Sequence, residues 1–174
     1  SWVRPGRRLF RYFRSHYQPF FPALATLHRT SFVRQAANLW GLTQWVWQRL
    51  ADRSWHDDRA AIVDSFPVPV CRFARAYRCR RFAGDVAFGK DQVACQTFLG
   101  FRVHVRMVWP CIVRQVVVVP ANEAETVQVP LLAAGTAGTL LGDRNYHAPL
   151  LAEELLEQGV TLLAPYRFAS RDPN

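Results

Sequence analysis

The spacing of apolar positions changes near residue 60. Before it they recur every three or four residues, as on one face of a helix; after it they form short runs or strict alternation, as in strands. In residues 7–17, Arg7, Arg11 and Arg14 share one face, while Leu9, Phe10, Phe13 and Tyr17 tend to the other. This predicts an amphipathic helix whose basic face is either solvated or set against a polyanion. Pro19 and Pro22 break the chain, and Ser31 is placed to cap a second helix reaching about Leu50. Its apolar positions are Phe32, Ala36, Leu39, Leu42, Trp45 and Val46, with Gly41 weakening or splitting it. Trp40, Trp45 and Trp47 read as core residues rather than stacking platforms. Residues 52–59 form a charged loop in which His56, Asp57 and Asp58 only mimic a metal cluster.

The strand-like part opens with Ala60-Ala61-Ile62-Val63-Asp64-Ser65-Phe66-Pro67-Val68-Pro69-Val70. The apolar run predicts a strand buried on both faces, and the Pro-x-Pro pair predicts its end, because proline cannot donate to a ladder. Residues 84–96 read as an irregular connection. In residues 98–108, Phe101, Val103, Val105 and Met107 alternate with Arg102, His104 and Arg106, which predicts a half-buried strand with a polar outer face. Residues 112–119, rich in valine, predict a central strand, with Pro110 at the turn between the two. Asn122 is placed to cap a helix to about Ala134, kinked at Pro130 and stopped by Gly135 and Gly138. A second run ending in an acid follows, Thr139-Leu140-Leu141-Gly142-Asp143. Pro149 then starts a helix that Gly159 stops, and residues 160–164 form a last short strand before the polar tail 167–174. The order after residue 60 is strand, strand, strand, helix, strand, helix, strand. That is an α/β plan with an antiparallel start followed by crossover units.

Length and composition narrow the class. The chain has 174 residues, enough for one ordinary domain with a core, and half of them are apolar. No apolar run approaches the length of a membrane span. It begins with Ser1 rather than Met, so the start is expected to be missing and no targeting signal can be read. Charge is uneven: residues 1–81 hold 15 Arg against 4 acids, whereas residues 82–174 hold 7 basic residues against 9 acids. A basic half points to a polyanionic partner such as nucleic acid, although 21 of the 22 basic residues are Arg, which codon bias also produces. Cys71, Cys79, Cys95 and Cys111 have no zinc-like spacing and read as reduced, small apolar residues.

Two features carry chemistry. A carboxylate in a buried strand is costly unless paired, protonated or metal-bound. Asp64 alone reads most simply as a cap of the following turn, but Asp143 repeats the pattern, and two acids at strand ends are what a shared metal site requires. The second feature is Cys71-Arg72-Phe73-Ala74-Arg75-Ala76-Tyr77-Arg78-Cys79-Arg80-Arg81. Its interleaved arginines and aromatics fit a segment that tracks phosphates, and equally a solvated loop or frayed helix.

Taken together, the motifs resemble the ribonuclease H-like catalytic domain of bacterial insertion-sequence transposases of the Asp-Asp-Glu class. The resemblance rests on Ile62-Val63-Asp64-Ser65-Phe66-Pro67-Val68-Pro69-Val70, Phe98-Leu99-Gly100-Phe101-Arg102-Val103-His104 and Pro120-Ala121-Asn122-Glu123-Ala124-Glu125. It also rests on Gly142-Asp143-Arg144-Asn145-Tyr146, Leu163-Ala164-Pro165 and, upstream, Phe20-Phe21-Pro22-Ala23-Leu24. These span nearly the whole chain in the family's order. Leu99, Arg102 and Asn145 depart from the usual Tyr, Lys and Gly.

The resemblance implies a mixed sheet with a three-stranded antiparallel start, then crossover helices and parallel strands. It implies a basic helical region over residues 1–58 and a catalytic domain over 59–174 that is incomplete at its C-terminus. Asp64 and Asp143 would be the first two catalytic carboxylates, holding two divalent ions, Mg²⁺ or Mn²⁺, which prefer hard oxygen ligands. The third acid, a Glu, would lie beyond Asn174; Asp172 is not assigned that role. Arg72, Arg75, Arg78, Arg80, Arg81, Arg102 and His104 would contact double-stranded DNA, namely transposon ends and target, with the protein a homodimer on DNA. The implied setting is the bacterial cytoplasm at the nucleoid, with no membrane. The competing expectation is a catalytically silent remnant that only binds DNA; another ribonuclease H-like nuclease fits the motifs less well.

Overall fold

The computed structural model describes residues 5–166. The chain divides into two compact units, one ending at Arg53 and the other beginning at Ser54. The polar tail 167–174 lies outside the described residues.

The first unit is helical. It comprises α1 (Pro5–His16), a single 3₁₀ turn at Pro22–Ala25, α2 (Arg29–Asn38) and α3 (Trp40–Arg53). Phe10 and Phe13 of α1 meet Phe32 of α2 at ring-centroid distances of 5.3 and 5.7 Å. The break between α2 and α3 falls at Leu39, ahead of Gly41, and the cap of α2 is His28, whose side chain accepts from the Thr30 N–H, rather than Ser31. Two of the three tryptophans depart from the core reading, and Trp47 is half-buried. Trp40 and Trp45 are exposed, and the Arg49 guanidinium covers the Trp45 ring at 5.3 Å. Leu24 and Ala51 are the buried residues of this unit among those described.

The second unit is a six-stranded mixed sheet: β1 (Asp57–Arg72), β2 (Ala87–Asp91), β3 (Gln96–Trp109), β4 (Ile112–Pro120), β5 (Gly138–Leu141) and β6 (Val160–Leu163). The strand order is β2-β3-β1-β5-β6, and β4 shares the edge of β3 with β2, pairing with its second half. β1, β3 and β4 are antiparallel; β5 and β6 then join in parallel through two crossovers containing α4 (Val129–Ala133) and α5 (Pro149–Glu157). The expected fold class, an α/β mixed sheet with an antiparallel start and parallel crossovers, is the one observed.

Three local expectations give way. β1 does not stop at the Pro-x-Pro pair but runs to Arg72, with Pro67 opposite Arg102 and Pro69 opposite Gly100. Among the described residues, β1 beyond Ile62 has a partner on the β3 side only, so alternate residues point their N side away from that partner, where proline removes no bond. Gly100 makes the match close, since a Cβ there would lie 2.3 Å from the Val68 carbonyl oxygen. Residues 87–91, expected to be irregular, form β2. The helix expected from Asn122 is instead a 3₁₀ turn at Glu125–Gln128 leading into the short α4, with Pro130 in the first turn, where its missing N–H costs nothing.

Nor is β1 buried on both faces. Ala61 and Val63 are buried, while Ile62, Asp64, Phe66 and Val68 are exposed. One side of the sheet packs against α4 and α5 through Ala61, Val63, Val108, Leu132, Leu140, Leu155 and Leu162. The other carries Val116 and Val118 of β4 and Leu141 of β5, all exposed.

A candidate active site past the last pair of two parallel strands

The last β1–β5 pair is Ile62 with Leu141. Two residues past that pair stand Asp64, still within β1, and Asp143, just beyond the end of β5, so both acids follow the last pair of the same parallel ladder. Both are exposed. Asp64 Oδ1 accepts from the N–H of Ser65 at 2.7 Å, and because the strand continues it caps no turn. Asp143 does cap one: its Oδ1 accepts from the Asn145 N–H at 2.9 Å and its Oδ2 from Asn145 Nδ2 at 3.1 Å. The short turn Arg144–Tyr146 follows, folding Tyr146 back beneath the strand end. Gly142 permits this return, since a Cβ there would lie 2.8 Å from the Tyr146 Cβ.

Beneath the acids, on the covered side of the sheet, lies a polar layer. Ser65 Oγ donates to Glu125 Oε1 at 3.0 Å, and Arg102 Nη1 donates to the same oxygen at 2.5 Å while Nη2 reaches the Lys90 carbonyl. His104, fully buried, shares a hydrogen bond of 3.0 Å between its Nδ1 and the Tyr146 hydroxyl. Burial, helped by the Arg102 charge, pushes the His104 pKa down to about 4, so the ring is neutral at ordinary pH. Burial first, and then the Glu125 charge, push the Tyr146 hydroxyl up; Asp64 and Asp143 add to this, so the fields of both acids reach that one hydroxyl. His104 Nε2, Arg106 Nε and Glu125 Oε2 are buried without a partner among the described residues.

This reverses the reading of β3. Its polar positions face inward: His104 and Arg106 are buried, and Arg106 is held by the Ala134 carbonyl and the Thr136 hydroxyl. Only Nη1 of Arg106 makes these bonds, and alternation alone does not reveal that the guanidinium turns inward. His104 and Arg102 therefore turn their polar atoms into the protein and are not on a surface with the other expected DNA contacts. Ser65, Glu125 and Tyr146 were given no role from the sequence. Ser65 and Tyr146 sit in the two acidic motifs, and Glu125 reads as an ordinary helix-start acid.

Arg72, Arg75, Arg78, Arg80 and Arg81 are exposed around the 3₁₀ helix Phe73–Arg78. Four of them, Arg75, Arg78, Arg80 and Arg81, line an open groove of about 630 Å³. None of the five makes an ion pair among the described residues. The arginine-rich segment and the two acids are thus separate features of the same unit. At the start of β1, Arg59 Nη2 binds Asp57 at 2.7 Å, and His56 Nε2 lies 3.2 Å from Asp58, a local polar loop.

Residues 56–172 match the family described as the transposase DDE domain. The chain belongs to that family. The match covers the whole sheet and both acids. No curated protein matches the chain. Among solved structures it is similar to a piggyBac transposase synaptic complex with hairpin DNA, at a TM-score of 0.45 and 12% identity. That similarity covers 67% of this chain and 24% of the other, so the chain spans about a quarter of the length of that transposase. Among the described residues no group of three or more His, Cys, Asp or Glu side chains is arranged to hold a metal ion. Asp64 and Asp143 are exposed carboxylates, hard-oxygen groups of the kind that suit the divalent metals this family uses. No described helix is long and apolar enough to cross a membrane.

Proposed function

We propose that residues 54–174 are the catalytic part of a DNA transposase of the insertion-sequence type, acting on double-stranded DNA, with Asp64 and Asp143 as the carboxylates that bind Mg²⁺ or Mn²⁺. The single observation that carries the reading is that both acids stand two residues past the last pair of the parallel β1–β5 ladder, in a chain of the transposase DDE family. A divalent cation held there supplies a Lewis acid for the phosphate and activates the attacking oxygen. The chain's own part is to hold two exposed carboxylates at the sheet, with Asp143 further fixed by its two bonds to Asn145. Arg72, Arg75, Arg78, Arg80 and Arg81 then hold the DNA backbone through contacts of their exposed guanidinium groups to phosphates.

In-line displacement with two metal ions normally draws on three acids, and no third carboxylate joins this pair among the described residues. The test compares residues 1–174 with a longer chain that also carries the family's Glu, each incubated with DNA and Mg²⁺. The shorter chain is expected to bind DNA without cleaving it. The longer one is expected to nick and join strands, and to lose both activities with Asp64→Ala or Asp143→Ala. A longer chain that binds DNA but never cleaves it would establish the alternative, a DNA-binding remnant. Mg²⁺-dependent cleavage by residues 1–174 that survives Asp64→Ala would overturn the assignment of the acids.

A further inference from the structure

The β1–β5 ladder stops at Ile62 and Leu141, short of both acids, so backbone pairing between these strands does not itself fix the separation of Asp64 and Asp143. A second connection runs beneath the sheet. Strand alternation puts Ser65 on the side opposite Asp64, where its hydroxyl donates to Glu125, an acid clamped by Arg102. Ser65 is also the register partner of His104 on β3. His104 in turn holds the hydroxyl of Tyr146, the last residue of the turn that Asp143 caps. The chain of contacts therefore runs from the residue after Asp64, across β3, to the turn that carries Asp143. None of its members faces the side on which the acids are exposed.

We propose that Ser65, Glu125, Arg102, His104 and Tyr146 are positioning residues that lock Asp64 and Asp143 at a fixed separation across the β1–β5 seam. The inference rests on the reading that these two acids share a divalent cation. Groups of this kind, which orient ligands without touching the metal, commonly change metal affinity about tenfold or more when removed. Ser65 and Tyr146 are the informative members, because Ser65→Ala and Tyr146→Phe each delete one hydroxyl and leave the Arg102–Glu125 pair intact.

The experiment titrates the folded 174-residue chain with Mn²⁺ and follows paramagnetic broadening of the backbone amides of Ser65 and Asn145, the two N–H groups bonded to the acids. Thermal midpoints are recorded for every variant. In the unsubstituted chain both amides should broaden with one midpoint, and Asp64→Ala or Asp143→Ala should abolish this. Ser65→Ala and Tyr146→Phe should raise the midpoint about tenfold. Ser65→Thr, which restores the hydroxyl, should return it to the original value. Midpoints in Ser65→Ala and Tyr146→Phe equal to the original, at unchanged fold, would overturn the inference while leaving the shared-cation reading standing. Equal losses in Ser65→Ala and Ser65→Thr that track a fall in thermal midpoint would overturn it in favour of a packing role. If broadening in the unsubstituted chain does not depend on Asp64 or Asp143, the shared-cation reading fails and the inference falls with it.

Discussion

Glu125 and Arg102 show how much a single polar contact decides in this unit. Their side chains are 10% and 19% exposed, and the carboxylate is also bonded by Ser65. Removing one partner of such a pair strands the other's charge in a poor solvent, whereas removing both together is far milder. Arg102→Ala is therefore expected to cost about 3–5 kcal/mol in denaturant unfolding, and Arg102→Ala with Glu125→Ala much less than the sum of the single changes. His104 adds a pH signature. Its pKa falls from an ordinary value of 6.5 to about 4 in the folded chain, so the unfolded chain binds the extra proton first. The stability linked to neutral His104 is complete above about pH 6.5 and is lost progressively as pH falls toward 4. Unfolding curves of the parent and of His104→Gln should differ in slope across that window and run parallel above it. The acids themselves were legible in the sequence as two apolar runs with matching ends. The layer beneath them was not, because alternation shows that two faces of a strand differ without showing which one the helices cover.

At the scale of the element, β1 carries the main correction. An apolar run is read as buried on both sides, yet only Ala61 and Val63 are covered, while Ile62 and Phe66 are about half exposed, at 51% and 48%. Neighbouring residues should therefore respond oppositely to the same kind of change. Ile62→Thr should shift stability by no more than about 0.5 kcal/mol, and Val63→Thr should cost about 1–3 kcal/mol because its hydroxyl enters a packed core. The prolines were read as a stop, but they mark an open edge instead. Proline blocks new pairing along such an edge. Replacing both Pro67 and Pro69 by Val should leave the β3 register intact and promote self-association, seen as light scattering that grows with concentration. The short strand β2 escaped the sequence because it is too brief for a period to show; it exists through its pairing with β3.

At the scale of the whole molecule, the order of strands and crossovers was legible, because caps, glycines and prolines mark most element ends. The uneven charge gives the next prediction. If the five exposed arginines at residues 72–81 contact phosphates rather than guanine edges, each Arg→Ala change should weaken DNA binding equally for all sequences. Each should also lower the salt dependence by about one unit of slope in a filter-binding titration. Loss of preference for one sequence at constant slope would show base readout instead. His104→Gln should leave that slope unchanged, since the ring is fully buried.

The central claim, that Asp64 and Asp143 together hold a divalent cation, has a direct measurement that does not depend on catalysis. Fe²⁺ substituted for Mg²⁺, with ascorbate and peroxide, generates hydroxyl radicals that cut the backbone near the bound ion. The account predicts two cut regions in the 174-residue chain, one in β1 around Asp64 and one in the turn around Asp143. Excess Mg²⁺ should suppress both, and either Asp64→Asn or Asp143→Asn should remove both together. Cuts confined to one region, or cuts that persist in both variants, would contradict the claim.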